Sequence, residues 1–353
     1  MVTIGLVYPV VLGKEPTRYV YSLSYMFENR GAIDLLLTQE DVTIPLFMNA
    51  SHQIVKLEEV SQDYEVDVID VDGNKGAVIG LGRLLLPGKK ESFTASYTIS
   101  SSDWEKPMFS LEEAEGFDSI PAELIEEYCI ASETFPKNEA IFKENVKTIV
   151  ESDDSVLESV TSLVEYIMQN TTYHNFDDPQ YPSATLQNHL GDCDDLSILI
   201  ITMCRSLGIP AYLQVGIYIN PNIEDKNIRW DGHLANEADG VGWHGWAMIY
   251  IPPWGWVPVD LTLTNAESGL DLIKQAPEYN SNIVPVLNVS RQSYIGNTLA
   301  TRDRIINSPL YVTVSNEAHI VNITGNPLQS YLLLGLGAAL LVAIGLMFRS
   351  INA

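Results

Sequence analysis

Basic residues are scarce in this chain: 20 Lys and Arg stand against 46 Asp and Glu, a formal charge of −26 over 353 residues. No stretch is rich in Lys or Arg, so the electrostatic footprint of a nucleic-acid binder is missing and no nucleic-acid partner is expected. A surplus of acid this large suits a solvated surface, a soluble ectodomain or a salty milieu. Cysteine is sparse too. Cys129, Cys193 and Cys204 are an odd number at unrelated spacings, with no C-x-x-C pair and no His/Cys cluster; neither a structural zinc nor another metal site is expected, nor any cofactor. A disulfide scaffold is not needed, because the length allows two ordinary domains with cores of their own. Cys193 and Cys204 fall in a segment that reads as one helix, which separates them by about 16 Å along the axis, beyond disulfide reach.

The N-terminus also lacks something. MVTIGLVYPVVLGK has no basic start, its short apolar run is broken by Pro9, and no cleavage site is evident. The long hydrophobic run lies at the other end, where Tyr331–Phe348 is 18 residues without a charge, about 27 Å as a helix and near the thickness of a bilayer core. It reads as one membrane span. Arg349 follows directly while the nearest preceding basic residue is Arg304. That asymmetry favours a single-pass C-terminal anchor in the membrane, with the bulk of the chain extracellular. The missing signal leaves two arrangements open: a true start upstream of this Met, or a cytosolic, tail-anchored domain.

Between the termini the pattern changes character. Residues 17 to 100 alternate β-branched and aromatic runs with turn signals (TRYVYSLSYMF then ENRG, YEVDVIDV then DGNKG), a strand-and-hairpin pattern best read as an antiparallel β-sandwich. Asp70-Val71-Asp72-Gly73-Asn74 invites a calcium-loop reading, but Lys75 and Leu81 stand where such a loop needs Gly and Glu; a hairpin turn is the better account. An acidic stretch from about 101 to 134 crosses to a helical region. Ala140 to Val150 and Val156 to Met168 place apolar residues at three- and four-residue intervals. Farther on, NIVPVLNVS and PLYVTVS read as strands.

The chemistry concentrates at Gly191-Asp192-Cys193-Asp194-Asp195. Leu196, Leu199, Ile200, Met203 and Leu207 continue from it as one apolar helical stripe that Gly208 and Pro210 end. Cys193 therefore sits in a first helical turn, where unpaired N–H groups and the helix dipole favour the reactive thiolate. Three neighbouring carboxylates oppose it, so the thiol needs a cationic partner. Trp243-His244-Gly245-Trp246 and Trp256-Val257-Pro258-Val259-Asp260 read as adjacent strands joined by a proline-rich turn. They could set Asp260 against His244, fixing the imidazole tautomer while the other ring nitrogen faces Cys193.

G-D-C-D-D with its helix, L-G-I-P-A after it, H-x-W on one strand and G-W-x-P-V-D-L-T on the next resemble the transglutaminase-like superfamily, within the papain-like cysteine hydrolases. Order and character agree over about 130 residues, Thr172-Tyr173 included. The β-rich N-terminal part is similar to the domain that often precedes such a core in prokaryotic, archaeal-like members.

By this resemblance Cys193 is the nucleophile, His244 the base and Asp260 its orienting partner. Trp246 and Trp256 could line a substrate groove, against a default of core packing; Cys129, Cys204 and the other histidines are read as structural. The expected architecture is α+β: a β-sandwich at 1–105, a transglutaminase-like domain with acidic lead-in at 106–280, a short β element or stalk at 281–330, a transmembrane helix at 331–348 and a tail at 349–353. The expected function is a membrane-anchored thiol protease or amidase acting on protein or peptide amides. A non-catalytic surface or assembly protein that binds peptide, and a protein-crosslinking transglutaminase, are the alternatives; the oligomeric state is left open.

Overall fold

The computed structural model describes residues 15–152 and 154–321. Strand Thr17–Asn29 buries Tyr19, Tyr21, Leu23 and Phe27 on one face, with Tyr25 of the same face half-buried. It pairs antiparallel with Lys90–Ser101, whose Phe93, Ala95, Tyr97 and Ile99 are likewise buried. Tyr21 faces Tyr97 and Leu23 faces Ala95, the cross-strand pairing that fixes register once one face is buried. Gln53–Val60 pairs on the far side of Lys90–Ser101. A small second sheet of Thr43–Pro45, Lys75–Ile79 and Tyr64–Val68 adds Ile44, Ala77 and Ile79 to the same apolar cluster. Its hairpin turns at Asp70, whose Oδ1 accepts from the Asp72 and Asn74 N–H groups, so these polar side chains serve the turn.

The N-terminal strands belong to a larger sheet. In order across it lie Ile283–Val289, Ala211–Arg229, Leu234–Ile251, Leu310–Ile320, Thr17–Asn29, Lys90–Ser101 and Gln53–Val60, with Gly255–Val259 pairing beside Leu234–Ile251. Leu310–Ile320 joins the two halves. It runs parallel to residues 234–239 on one side and neighbours Thr17–Asn29 on the other.

One hydrophobic cluster fills the N-terminal half and takes in Ile217, Val241, Val284 and Val312. A second surrounds the helix Cys193–Leu207, which packs on Ala140–Ile149, Val156–Asn170 and the sheet. From Asp195 to Arg205 that helix is buried on every side, its polar Asp195, Ser197, Thr202 and Arg205 included, beyond the single apolar stripe read from the sequence. Asp192 and Asp195 close its start as a capping box, and Gly208, at φ 85°, ends it in a left-handed conformation that glycine adopts without steric cost. Arg205 lies buried in its last turn; its guanidinium donates to the carbonyls of Ala211, Ile130 and Ser290. The buried charge is thereby solvated by backbone dipoles.

The result is a mixed α/β fold. Among the described residues no helix is long and apolar enough to cross a membrane, and the span expected at 331–348 lies outside them.

Candidate active site

The strand Leu234–Ile251 changes partners along one edge. Residues 234–239 pair with Leu310–Ile320 and residues 247–251 with Gly255–Val259, and residues 240–246 between them carry neither pairing. His244 sits in that gap. Across the other edge it faces Gly216, where an added Cβ would come within 2.8 Å of the Trp246 ring. A glycine there leaves room for Trp246, whose ring stacks beside the imidazole with centroids 5.8 Å apart. Gly245, the next residue, brings the strand close to the first turn of the cysteine helix. A Cβ on it would lie 3.2 Å from Asp194 Cβ and 3.4 Å from Asp194 Cα.

Cys193 and His244 line one cleft of about 690 Å³, together with Trp243, Tyr173 and Asn316. Cys193 is half-buried, whereas Cys129 and Cys204 are buried, and all three are free thiols. Behind the cleft wall His244 Nε2 lies 2.8 Å from Asp260 Oδ2, at the end of the neighbouring strand. With Asp260 ionised, Nε2–H is the donor, which leaves Nδ1 as the nitrogen able to take a proton. Asp260 is 1% exposed, and its Oδ1 accepts from Thr262 N–H at 2.7 Å, Thr262 Oγ1–H at 3.0 Å and Leu263 N–H at 3.1 Å. Burial alone would raise its pKa, but hydrogen bonding and charge from His244 outweigh burial and hold it at about 2. It is a carboxylate with three donors on Oδ1 and one, from His244, on Oδ2.

The thiol experiences the opposite balance. Burial pushes Cys193 well above the ordinary thiol range, the carboxylates of Asp194 and Asp192 add to the rise, and the Gly245 N–H partly opposes it. The first-turn position therefore does not by itself supply a thiolate, and a base must take the proton as the sulfur reacts.

Among the described residues, two trios place one potential ligand atom each within 4.8 Å of one another: Asp192, Cys193 and Asp194, and His244, Asp260 and Glu278. Asp192 and Asp195 cap the helix, burial and its bond with Asp192 hold Asp194 well above the usual carboxylate range, and His244 already bonds Asp260.

Residues 143–261 match the family model described as the transglutaminase-like superfamily. The core of this chain is transglutaminase-like. The transglutaminase-like core and the strands before it together resemble a solved structure from Cytophaga hutchinsonii described as a candidate cysteine protease. That likeness has a TM-score of 0.53 at 13% identity, covering 89% of this chain and 94% of that one, and it speaks for the fold alone. Legionella pneumophila LapG, EGTA-treated, matches at TM-score 0.29 and 14% identity over 53% of this chain and 98% of its own, too low to support any argument. No curated protein matches the chain.

The two tryptophans weighed for a substrate groove against a default of core packing lie away from the cleft. Trp246 is buried with Met248 and Ile283, in the space Gly216 leaves, and Trp256 packs edge-on against Tyr128 and Tyr212 at 4.8 Å each. Neither lines the cleft. Trp243 does; it is 42% exposed, and its Nε1–H donates to Asn316 at 3.2 Å. Three of the other five histidines have separate engagements: His233 bonds the Leu310 carbonyl, His52 stacks on Trp104 and His174 meets Phe176. Glu278, beside the His244–Asp260 pair, went unread in the sequence because a lone acid in an Ala-Pro-Glu-Tyr turn carries no motif.

Proposed function

We propose that the transglutaminase-like core is a cysteine hydrolase acting on peptide or protein amides, with Cys193 as nucleophile, His244 as proton carrier and Asp260 as its orienting partner. The observation that carries this reading is the 2.8 Å contact of buried His244 Nε2 with Asp260, beside a helix start that presents Cys193 to the same cleft. The raised thiol pKa fits a concerted start, in which the Cys193 proton passes to His244 Nδ1 as the sulfur attacks the amide carbon. The tetrahedral intermediate then collapses, the amine leaves with the proton from His244, and a thioester remains. Water, giving its proton to His244, adds to the thioester carbonyl; collapse releases the acid and restores the thiol. The Cys193 backbone N–H, at the first helical position, offers one donor to the developing oxyanion.

Hydrolysis, rather than amine transfer in crosslinking, is also the activity that the description of the Cytophaga structure carries. We retain as part of the reading the division near residue 105, which rests on the change of sequence pattern there. The membrane anchor at 331–348, with the preceding chain outside, rests on the sequence alone.

Alkylation by iodoacetamide tests the site without a known substrate. Cys193 should label alone, because Cys129 is 4% and Cys204 0% exposed, and labelling should slow roughly 100-fold in His244→Ala. Turnover of a casein or peptide substrate should vanish in Cys193→Ala. Equal labelling of all three cysteines without dependence on His244 would overturn the reading.

A further inference from the structure

Glu278 is 3% exposed and sits in the short turn Pro277–Tyr279. Its backbone is held from the segment that leads into the core: Trp104 Nε1–H donates to the Glu278 carbonyl at 2.7 Å and Trp104 N–H to the Tyr279 carbonyl at 3.0 Å. The side chain thereby points at the back of the site, with Oε1 3.8 Å from His244 Nε2. Neither of its carboxyl oxygens receives a hydrogen bond. A buried carboxylate with no donor is among the costliest arrangements a fold can hold, and protonation relieves it.

The groups facing Glu278 are Asp260 and His244 from the sheet, Lys106 from the leading segment and Tyr279 beside it. Asp260 is the acceptor within reach. Its own sites receive four donors, one from His244, two from Thr262 and one from Leu263, so of the two acids it is the one that stays ionised. The proton belongs on Glu278.

We propose, building on the triad reading above, that Glu278 is a positioning residue: a neutral carboxylic acid whose O–H donates to Asp260 and keeps that carboxylate aimed at His244. Burial first, and then the Asp260 charge and hydrogen bond, hold its carboxyl well above the usual range, in keeping with this geometry. A neutral acid also keeps the net charge behind the imidazole at that of Asp260 alone. A second ionised carboxylate there would over-stabilise the imidazolium and hinder return of the proton to the leaving group.

Three variants and one spectrum test this on the full chain. Glu278→Leu, which keeps volume and removes the donor, should slow iodoacetamide labelling of Cys193 about tenfold. Glu278→Gln, whose amide N–H can still donate to Asp260, should restore it to within about threefold of the unaltered chain. The infrared carbonyl region of protonated carboxylic acids, where Asp194 and Asp195 also absorb, should lose one component at neutral pH in Glu278→Gln, a signature that needs neither activity nor the folding of the leucine variant. No such loss, or a glutamine variant as slow as the leucine one, would overturn the proposal. His244→Ala separates the two readings: if labelling of the unaltered chain does not depend on His244, the triad reading fails whatever Glu278 does.

Discussion

Asp192, Asp194 and Asp195 flank Cys193 within one turn of chain, and each meets its charge differently. Tyr294 O–H donates to Asp194 at 3.0 Å, yet burial and the contact with Asp192 keep that carboxyl well above its ordinary range. Asp195 accepts from the Gln180 N–H at 2.6 Å and the Asp192 N–H at 3.2 Å, while burial, followed by the charge of Asp194, raises it to about 7. A carboxyl with a raised folded pKa contributes stability that is fully present below its unfolded value, near pH 4, and lost as pH rises through about 7. Asn cannot ionise. The difference in thermal midpoint between Asp195→Asn and the unaltered chain should therefore move in favour of Asn as pH rises from about 4 to about 7.5, on top of a constant offset for the lost cap acceptor. A difference that stays flat over this range would show that Asp195 titrates as a free carboxylate. Asp195 serves the helix start through these hydrogen bonds; the charge balance among three adjacent acids depends on burial, which no local pattern reveals.

At the scale of elements, what could be read from sequence follows from what is local. The cysteine helix was legible because its cap, its apolar stripe and its terminal glycine lie within a few residues of one another. Leu310–Ile320 was legible as a strand, but its place between residues 234–239 and Thr17–Asn29 was not. Pairing over such separations leaves no periodic mark in either segment. Because that strand ends its pairing at 239 and Gly255–Val259 begins at 247, the gap that holds His244 is a product of topology. Gly245 then sets the approach of this strand to the helix. Gly245→Val would place carbon against Asp194 at 3.2 to 3.4 Å and shift the helix start by a few tenths of an ångström or more. Labelling of Cys193 should fall several-fold, towards the roughly 100-fold that a misplacement of about 1 Å costs, while the circular dichroism spectrum is retained. Unchanged labelling would mean that the close approach is not what aligns the two groups.

For the molecule as a whole, charge and exposure together make Cys193 a reporter of topology as well as of chemistry. The cleft is lined by eight carboxylates, among them Asp177, Asp225 and Glu237, against Arg229 and Arg304, in a chain of net charge −26. Such a field raises the local concentration of cations and repels anions. The other two cysteines are buried, and no cysteine follows Cys204, so any reagent excluded by the bilayer reads one thiol only. If the uncharged run at 331–348 anchors the chain with its bulk outside, a membrane-impermeant, positively charged thiosulfonate added to intact cells should modify Cys193. A sulfonated, anionic thiol reagent should react more slowly, and the gap between the two should narrow as salt rises from about 0.02 to about 0.5 M. Modification seen only after the cells are permeabilised would place the cleft on the inner side and leave the anchor tail-inserted from the cytosol.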